Sequence, residues 1–334
     1  MGDTVFLTGG TGFVGANLAR LLLEQGYRLK ALARPGADLR NLDGLAVELV
    51  RGDLLDASAL REGCADARYV FHVAADYRLW VRDPAAMYRA NVDGTLAVID
   101  AAGAAGCERI VHCSSVAAVK PPEGPEPADE NSEYADPQKI VSHYKKSKFL
   151  AEQAALARAR SGLPVVVVNP AAPLGPYDIK PTPTGKIVAD FLAGRIPSYI
   201  DTGLNVVHVQ DVAQGHLLAA LKGRSGQRYI LGGDNLTLKQ VLETLAEASG
   251  RAAPRFKTPY ALAYAFGAID TARARLFGGE PLAPLDAIRM ARHYMWFSSR
   301  KAKEELGYRP RPARQALFDA CRWFANTGKA ASHA

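Results

Sequence analysis

Residues 4–8, TVFLT, form a short apolar run that stops at two glycines, and 13–25, FVGANLARLLLEQ, repeat apolar positions at helical spacing until Gly26. That pattern predicts a strand, a turn and a helix. Further apolar runs at 27–33, 46–50, 68–75, 109–115 and 164–169 read as strands, and 87–106 and 144–162 as the clearest of the helices between them. Strands apolar on both faces and separated by helices belong in a parallel sheet covered on each side. With right-handed crossovers the fold class is α/β, a doubly wound parallel sheet.

Beyond residue 170 the texture changes. NPAAPLGPYDIKPTPTGK, residues 169–186, carries five prolines in eighteen residues and predicts a shaped loop without regular structure. A further strand is expected over 226–233, and Thr237 and Gln240 stand at capping-box spacing to start another helix. The last hundred residues are mainly helical and Ala-rich. The expected organisation is a nucleotide-binding domain over 1–169, rejoined by about 204–232, a smaller, mostly helical substrate domain from 170–203 and 233–326, and a flexible tail at 327–334.

Composition narrows the class. The chain has 334 residues, 48% of them apolar, enough for a substantial core. Its net charge of +7 comes from 41 basic and 34 acidic residues that are interspersed, so no focused nucleic-acid stripe results. Cys64, Cys107, Cys113 and Cys321 are scattered without metal or disulfide spacing, which suits a reducing compartment and predicts no metal site. The N-terminal MGDTVFLTGG lacks the basic start and apolar stretch of a signal peptide, and no apolar run approaches the roughly 18–20 residues of a membrane span. A cytoplasmic protein is expected.

The turn TGGTGFVG is the most specific motif. Gly10, Gly12 and Gly15 satisfy G-x-G-x-x-G, and Gly9, Gly12 and Gly15 the wider G-x-x-G-x-x-G. Placed between the first strand and first helix, such a turn lets a pyrophosphate approach the backbone at the positive end of the helix dipole. An acidic residue about 20 positions on would bind the ribose hydroxyls of NAD. The second strand instead ends ALARPGADLR, offering Arg34 and then Arg40 to a ribose 2′-phosphate, which favours NADP over NAD. Arg34 can equally be a solvent-exposed strand end. Asp53, after the third strand, can reach the adenine or cap the next helix.

A carbonyl that accepts hydride without a metal needs a proton donor. Tyr144 and Lys148, at i and i+4, share one helix face, where an ammonium is expected to lower a phenol pKa of about 10. HCSSVAAV, at the end of the preceding strand, supplies a hydroxyl for the reacting oxygen. Tyr77 and Trp80, after the fourth strand, can line the substrate cavity or stand as exposed loop aromatics. Lys180 and Thr184, on the proline-rich loop, are candidate contacts to a polar or anionic substrate. His72, His112 and His208 lie among strand-like residues and read as packed. The segment 260–277, apolar first and basic later, is expected to pack on the cofactor domain or line the pocket, with a weak membrane-surface contact as the other reading.

TGGTGFVG, GDL, HVAA, ANVDGT, SS and YKKSK, in this order, resemble the extended short-chain dehydrogenase/reductase family, and NPAAPLGP, HVQDVA and SSRKAKEELGYRPRP carry the likeness over nearly the whole chain. More narrowly, HVAADYRLW, DIKPTPTGKI and YILGGDNLTL are similar to the hopanoid-associated sugar epimerase subgroup, often labelled dihydroflavonol reductase-like. The resemblance implies a Rossmann domain with Ser115 as the serine, Ser114 being its neighbour, and Asn91 as the supporting asparagine, unless that residue simply holds a helix bend. It also implies cofactor contacts from Thr11, Phe13, Val14, Leu54, Ala74, Ala75 and Pro170. A homodimer through 87–106 and 144–162 is implied too, although those apolar faces can equally be buried within one chain. The implied chemistry is hydride transfer at a secondary alcohol or ketone, either epimerising a sugar or polyol linked to hopanoid lipid or reducing a flavonoid-like or sterol-like ketone. A non-catalytic NADP-binding protein is the remaining alternative, and the retained Tyr144, Lys148 and Ser115 argue against it.

Overall fold

The computed structural model describes residues 2–327. Apart from Thr327, the tail expected at 327–334 lies outside the described residues. Strands β1 (Thr4–Thr8), β2 (Arg28–Ala33), β3 (Val47–Arg51), β4 (Ala67–His72), β5 (Arg109–Cys113) and β6 (Val165–Pro170) coincide with the apolar runs. Helices α1 (Phe13–Glu24) and α2 (Ala57–Cys64) follow β1 and β3. The single helix expected over 87–106 is instead α3 (Ala85–Tyr88), a five-residue π-helical stretch (Arg89–Asp93) and α4 (Gly94–Ala104). Helix α5 (His143–Arg160) carries Tyr144.

The remaining strands are β7 (Ala172–Leu174), β8 (Ser198–Tyr199), β9 (Gly203–His208), β10 (Arg228–Leu231), β11 (Asp234–Thr237), β12 (Phe256–Lys257) and β13 (Tyr294–Met295). The helices among and after them are α6 (Pro183–Leu192), α7 (Val209–Lys222), α8 (Leu238–Ser249), α9 (Tyr260–Phe277), α10 (Leu285–Met290) and α11 (Ala313–Asn326).

Seven parallel strands run in the order β3-β2-β1-β4-β5-β6-β10, the doubly wound arrangement that the alternation predicts. Strand period 2 explains the two cores. Val5, Leu7, Phe71, Val111, Val166 and Val168 face α1 and α7, whereas Phe6, Val70, Ile110, Val165 and Val167 face α2, α4 and α5. Each such side chain, fully buried, contributes about 1.5–3 kcal/mol. The sheet therefore holds the carboxyl ends of β1, β4, β5 and β6 in one rigid row.

A second layer is built on β9, which pairs with β7, β11 and β13. Leu174, Val188, Phe191, Val206, Leu242, Leu245, Leu317 and Phe324 form its core under α6, α8 and α11. The expected return to the main domain at 204 is thus displaced: β9 belongs to the small sheet, and the chain rejoins the large one with α7 at Val209. The proline-rich stretch also holds more regular structure than its composition predicts. Pro170 ends β6, Pro173 lies within the three-residue β7, and Pro183 opens α6, where its missing N–H costs nothing and Thr182 caps Gly185 N. The capping box at Thr237 and Gln240 is present as expected.

Candidate active site

The glycine turn is shaped by contacts that exclude larger residues. Gly9 has φ +78°, and a Cβ there would lie 2.5 Å from Ala74 N, so the turn presses on the chain leaving β4. A Cβ on Gly15 would run into Gly9 O, which holds α1 against the turn. Gly12 is the N-cap of α1 and brings no side-chain hydrogen bond, and no acid lies in the first turn. The helix start is therefore left to the phosphates of a dinucleotide, which is the fit that motif requires. Phe13 is buried and Val14 packs on the core, so both can offer only backbone N–H. Thr11 O is held by Asn41 Nδ2 at 3.0 Å.

The two arginines after β2 differ. Arg40 is committed to Asp38 by two hydrogen bonds of 2.9 and 2.6 Å, whereas Arg34 is exposed and makes no ion pair among the described residues. Asp53 does not cap α2. Its carboxylate accepts from Leu55 N at 3.3 Å, and Asp56 takes the cap by accepting from Ser58 N and Ala59 N. Leu54 closes over Gly94, where an added Cβ would sit 3.1 Å from it. Ala74 N donates to Thr8 Oγ1 at 3.3 Å, and Ala75 follows it, half-buried.

Tyr144 is half-buried at the start of α5, behind an N-cap in which Ser142 adopts φ +80° and accepts from Lys145 N at 3.2 Å. Burial raises the phenol pKa above its usual value, and a hydrogen bond from the Ser115 hydroxyl opposes that rise. Ser115 Oγ already accepts from Ala117 N at 3.1 Å, which leaves its own proton to give. Adjacent Ser114 is buried, and its hydroxyl has no partner among the described residues. Of the two serines, the structure brings Ser115 to Tyr144.

Lys148 Nζ donates to Cys113 O at 2.8 Å, and burial lowers its pKa while the Cys113 thiol and Glu152 oppose that shift. The expected lowering of the Tyr144 pKa by Lys148 is not realised in this arrangement: the net shift is upward and Ser115 supplies the counterweight. Asn91 lies buried in the π-helical stretch. Its Oδ1 accepts from Asp76 N at 2.7 Å, and its Nδ2 donates to Asp76 O and to Ser147 Oγ, both at 2.9 Å. It holds a helix irregularity and supports the tyrosine helix at once, so the two readings of Asn91 coincide.

Behind these groups is a polar frame the sequence reading missed. Asn169 Nδ2 donates to Ser115 O at 3.0 Å and to Glu152 Oε2 at 2.6 Å, and Glu152 pairs with Arg228 at 2.7 Å, both side chains buried. The available signal was polar residues inside the apolar strands VVVVNP and RYIL, with Glu152 one turn beyond Lys148. On the other side His72 joins Thr8 Oγ1 (2.8 Å) to Thr95 Oγ1 (3.0 Å), which donates to Asn91 O at 2.6 Å. His72, His112 and His208 are all buried, as packed histidines should be.

A cavity of about 550 Å³ opens beside this site. Its walls include Trp80, His143, Arg275, Leu276 and Phe277. Tyr88 OH holds the His143 ring at 3.1 Å. Segment 260–277 thus reaches the pocket through its basic end. Tyr77 stands apart from this wall and is exposed. Lys180 and Thr184 are also not brought to it. Lys180 lies within electrostatic reach of Asp38 on the loop after β2, and Thr184 turns inward in the first turn of α6 to donate to Pro173 O at 3.1 Å. Asn17 and Asn41 tie the backbone of Pro176 and Tyr177 to α1 and its neighbouring loop, which carries Lys180 to the nucleotide flank.

The chain is similar to several known proteins. A protein of Synechocystis sp. provisionally named dihydroflavonol 4-reductase is 44% identical over 98% of this chain and 96% of its own length. Sterol demethylase protein B of Methylococcus capsulatus is 34% identical over 97% and 99%. The crystal structure of PA4631, a nucleoside-diphosphate-sugar epimerase from Pseudomonas aeruginosa, superposes with a TM-score of 0.82 at 27% identity, covering 98% of both chains. The model of the NAD dependent epimerase/dehydratase family matches residues 5–232, and the chain belongs to that family of NAD(P)-dependent short-chain dehydrogenase/reductase enzymes.

Proposed function

We propose that the protein interconverts a secondary alcohol and a ketone with Tyr144 as the proton-transferring group. The observation that carries this reading is the placement of Ser115, just beyond the carboxyl end of β5, within interaction range of the Tyr144 phenol, which stands one helical turn before the buried Lys148. A bound nicotinamide supplies the hydride acceptor and donor. Tyr144 gives its proton to the ketone oxygen as that oxygen becomes a hydroxyl, or takes the proton back when the alcohol is oxidised. Ser115 donates to the same oxygen and fixes its place. Lys148, which leaves the phenol pKa unlowered in this arrangement, is available to the ribose hydroxyls.

NADP is the cofactor this reading favours. Arg34 is uncommitted at the end of β2, and Asp38, the first acid after it, is already bound by Arg40. The substrate is proposed to be a sugar or polyol linked to hopanoid lipid, epimerised when the transient ketone takes hydride back. A second reading, net reduction of a polycyclic ketone, draws on the apolar wall of Trp80, Leu276 and Phe277.

The test is incubation of purified protein with NADPH deuterated at C4 and a panel of ketones and sugar nucleotides. Net NADPH loss with label in the product means reduction, and stereochemical inversion without net loss means epimerisation. Tyr144→Phe should abolish both. Tight NADPH binding without hydride exchange on any member of the panel would overturn the proposal.

A further inference from the structure

Helix α9 is built inside out. Its buried positions are small or polar, namely Ala263, Gly267, Asp270, Thr271 and Ala274. The large apolar side chains point to solvent: Leu262 is 64% exposed, Phe266 54%, Ile269 72%, Leu276 78% and Phe277 84%. Positions 262, 266, 269, 273 and 276 advance by four, three, four and three, so they lie on one face. Only Arg273 interrupts it, and Arg273 is drawn aside by Asp270 at 2.9 Å. Leu282, 77% exposed, extends the patch past the helix end. A contiguous outward stripe of this size marks a contact surface, because a solvated helix gains nothing from it.

We propose that this face docks on an anionic lipid bilayer. Its surroundings carry a basic excess: Arg255 and Arg275 are exposed and make no ion pair among the described residues, Arg292 is equally unpaired beyond α10, which packs on α9, and against these three stands the exposed Glu280 between Phe277 and Leu282. Large apolar groups on one face with uncompensated arginines beside them match an interface between acyl chains and anionic headgroups. No helix among the described residues is long and apolar enough to cross a membrane, so the contact is peripheral. The position of the cavity distinguishes a bilayer from a second copy of the chain. Arg275, Leu276 and Phe277 form part of the cavity wall and part of this face. A protein partner seated here would close the mouth, whereas a bilayer would deliver substrate to it. The proposal rests, for its substrate, on the reading of the site as one for a lipid-linked alcohol or ketone, and it adds that the substrate is taken from the membrane surface.

The experiment is co-sedimentation of the full chain with phosphatidylcholine vesicles and with vesicles containing about 30% phosphatidylglycerol. Wild type and Tyr144→Phe should pellet with the anionic vesicles and be released by salt, which separates docking from catalysis. A Phe266→Asp, Ile269→Asp double variant should pellet at least about fivefold less while turning over a water-soluble ketone at the wild-type rate, since neither residue lines the cavity. Equal pelleting of that variant, or no pelleting of folded wild type, overturns the proposal even if turnover is normal. A wild-type dimer that the double variant converts to monomer also overturns it, by assigning the face to a second copy. Vesicle binding with no turnover on any carbonyl would leave the docking face standing and remove the catalytic reading instead.

Discussion

Asn91 grips Ser147 across 2.9 Å, and with the same side chain it grips the backbone of Asp76 on both its N–H and its carbonyl. Ser147 stands between Tyr144 and Lys148 on α5, so one buried amide fixes the helix of Tyr144 against the loop leaving β4. The π-helical stretch at Arg89–Asp93 is what aims Asn91 at both. Asn91→Ala should therefore lower kcat by about 10- to 100-fold with little change in KM, since it misplaces Tyr144 without removing it. Steady-state kinetics beside an unchanged far-UV circular dichroism spectrum checks this. Ser147→Ala should be milder, because Asn91 then keeps both of its bonds to Asp76.

Burial raises the Tyr144 pKa above the usual phenol value, and the Ser115 hydrogen bond favours the ionised form. Alcohol oxidation needs that ionised form, so its kcat should rise with pH through the alkaline range, whereas ketone reduction should be fastest where the phenol is protonated. Ser115→Ala removes the stabilising bond and should move the alkaline limb of the oxidation profile to higher pH. A limb that stays in place would assign the titration to another group.

The buried pair of Glu152 and Arg228 supports Ser115 through Asn169. Arg228→Met strands a carboxylate that has no exposure and should cost about 3–5 kcal/mol in chemical denaturation. Glu152→Gln with Arg228→Met together should recover most of that loss, because no buried charge is left unpaired. Activity should remain impaired in the double variant, since the amide no longer holds Asn169 as the carboxylate does.

Lys145, next to Tyr144, is buried with Met295 Sδ as its hydrogen-bond partner at 3.8 Å, and burial lowers its pKa to about 8. The unfolded chain thus binds this proton more tightly than the folded one. Stability attributable to Lys145 rises as pH climbs from about 8 to about 10.5 and is unfavourable below that window. Lys145→Met should stabilise the protein by about 1–3 kcal/mol at pH 7 and by little at pH 10 or above. Denaturation midpoints of the two proteins at pH 7 and pH 10 provide the measurement.

The alternation of apolar runs and helices made the sheet legible, because strands buried on both faces leave an unbroken apolar record. The glycine turn was legible for a related reason: close approach to Ala74 and Gly9 leaves room for no other residue. Other features depend on contacts distant in sequence and had no local trace. The strand at Gly203–His208 is not read from the sequence, and its partners β7, β11 and β13 decide which sheet it joins. Asn169 and Glu152 are 17 residues apart, and only the adjacency of β6 to α5 turns them into a support for Ser115. Lys180 stands away from the cavity wall because Asn17 of α1 and Asn41 of the loop after β2, and not the proline-rich loop's own composition, set that loop's course.

Strand β9 ends at His208 and α7 begins at Val209, with His208 Nδ1 accepting from Gln210 N at 3.1 Å. This crossing between the two layers, one of several, therefore contains no spare chain, and the histidine locks its corner. A clamshell motion would strain that corner, and the cavity rim around Trp80 and the end of α9 is the expected route for a bulky molecule. Catalytic turnover in this protein should be paced by local breathing at the doorway while the building itself stays still.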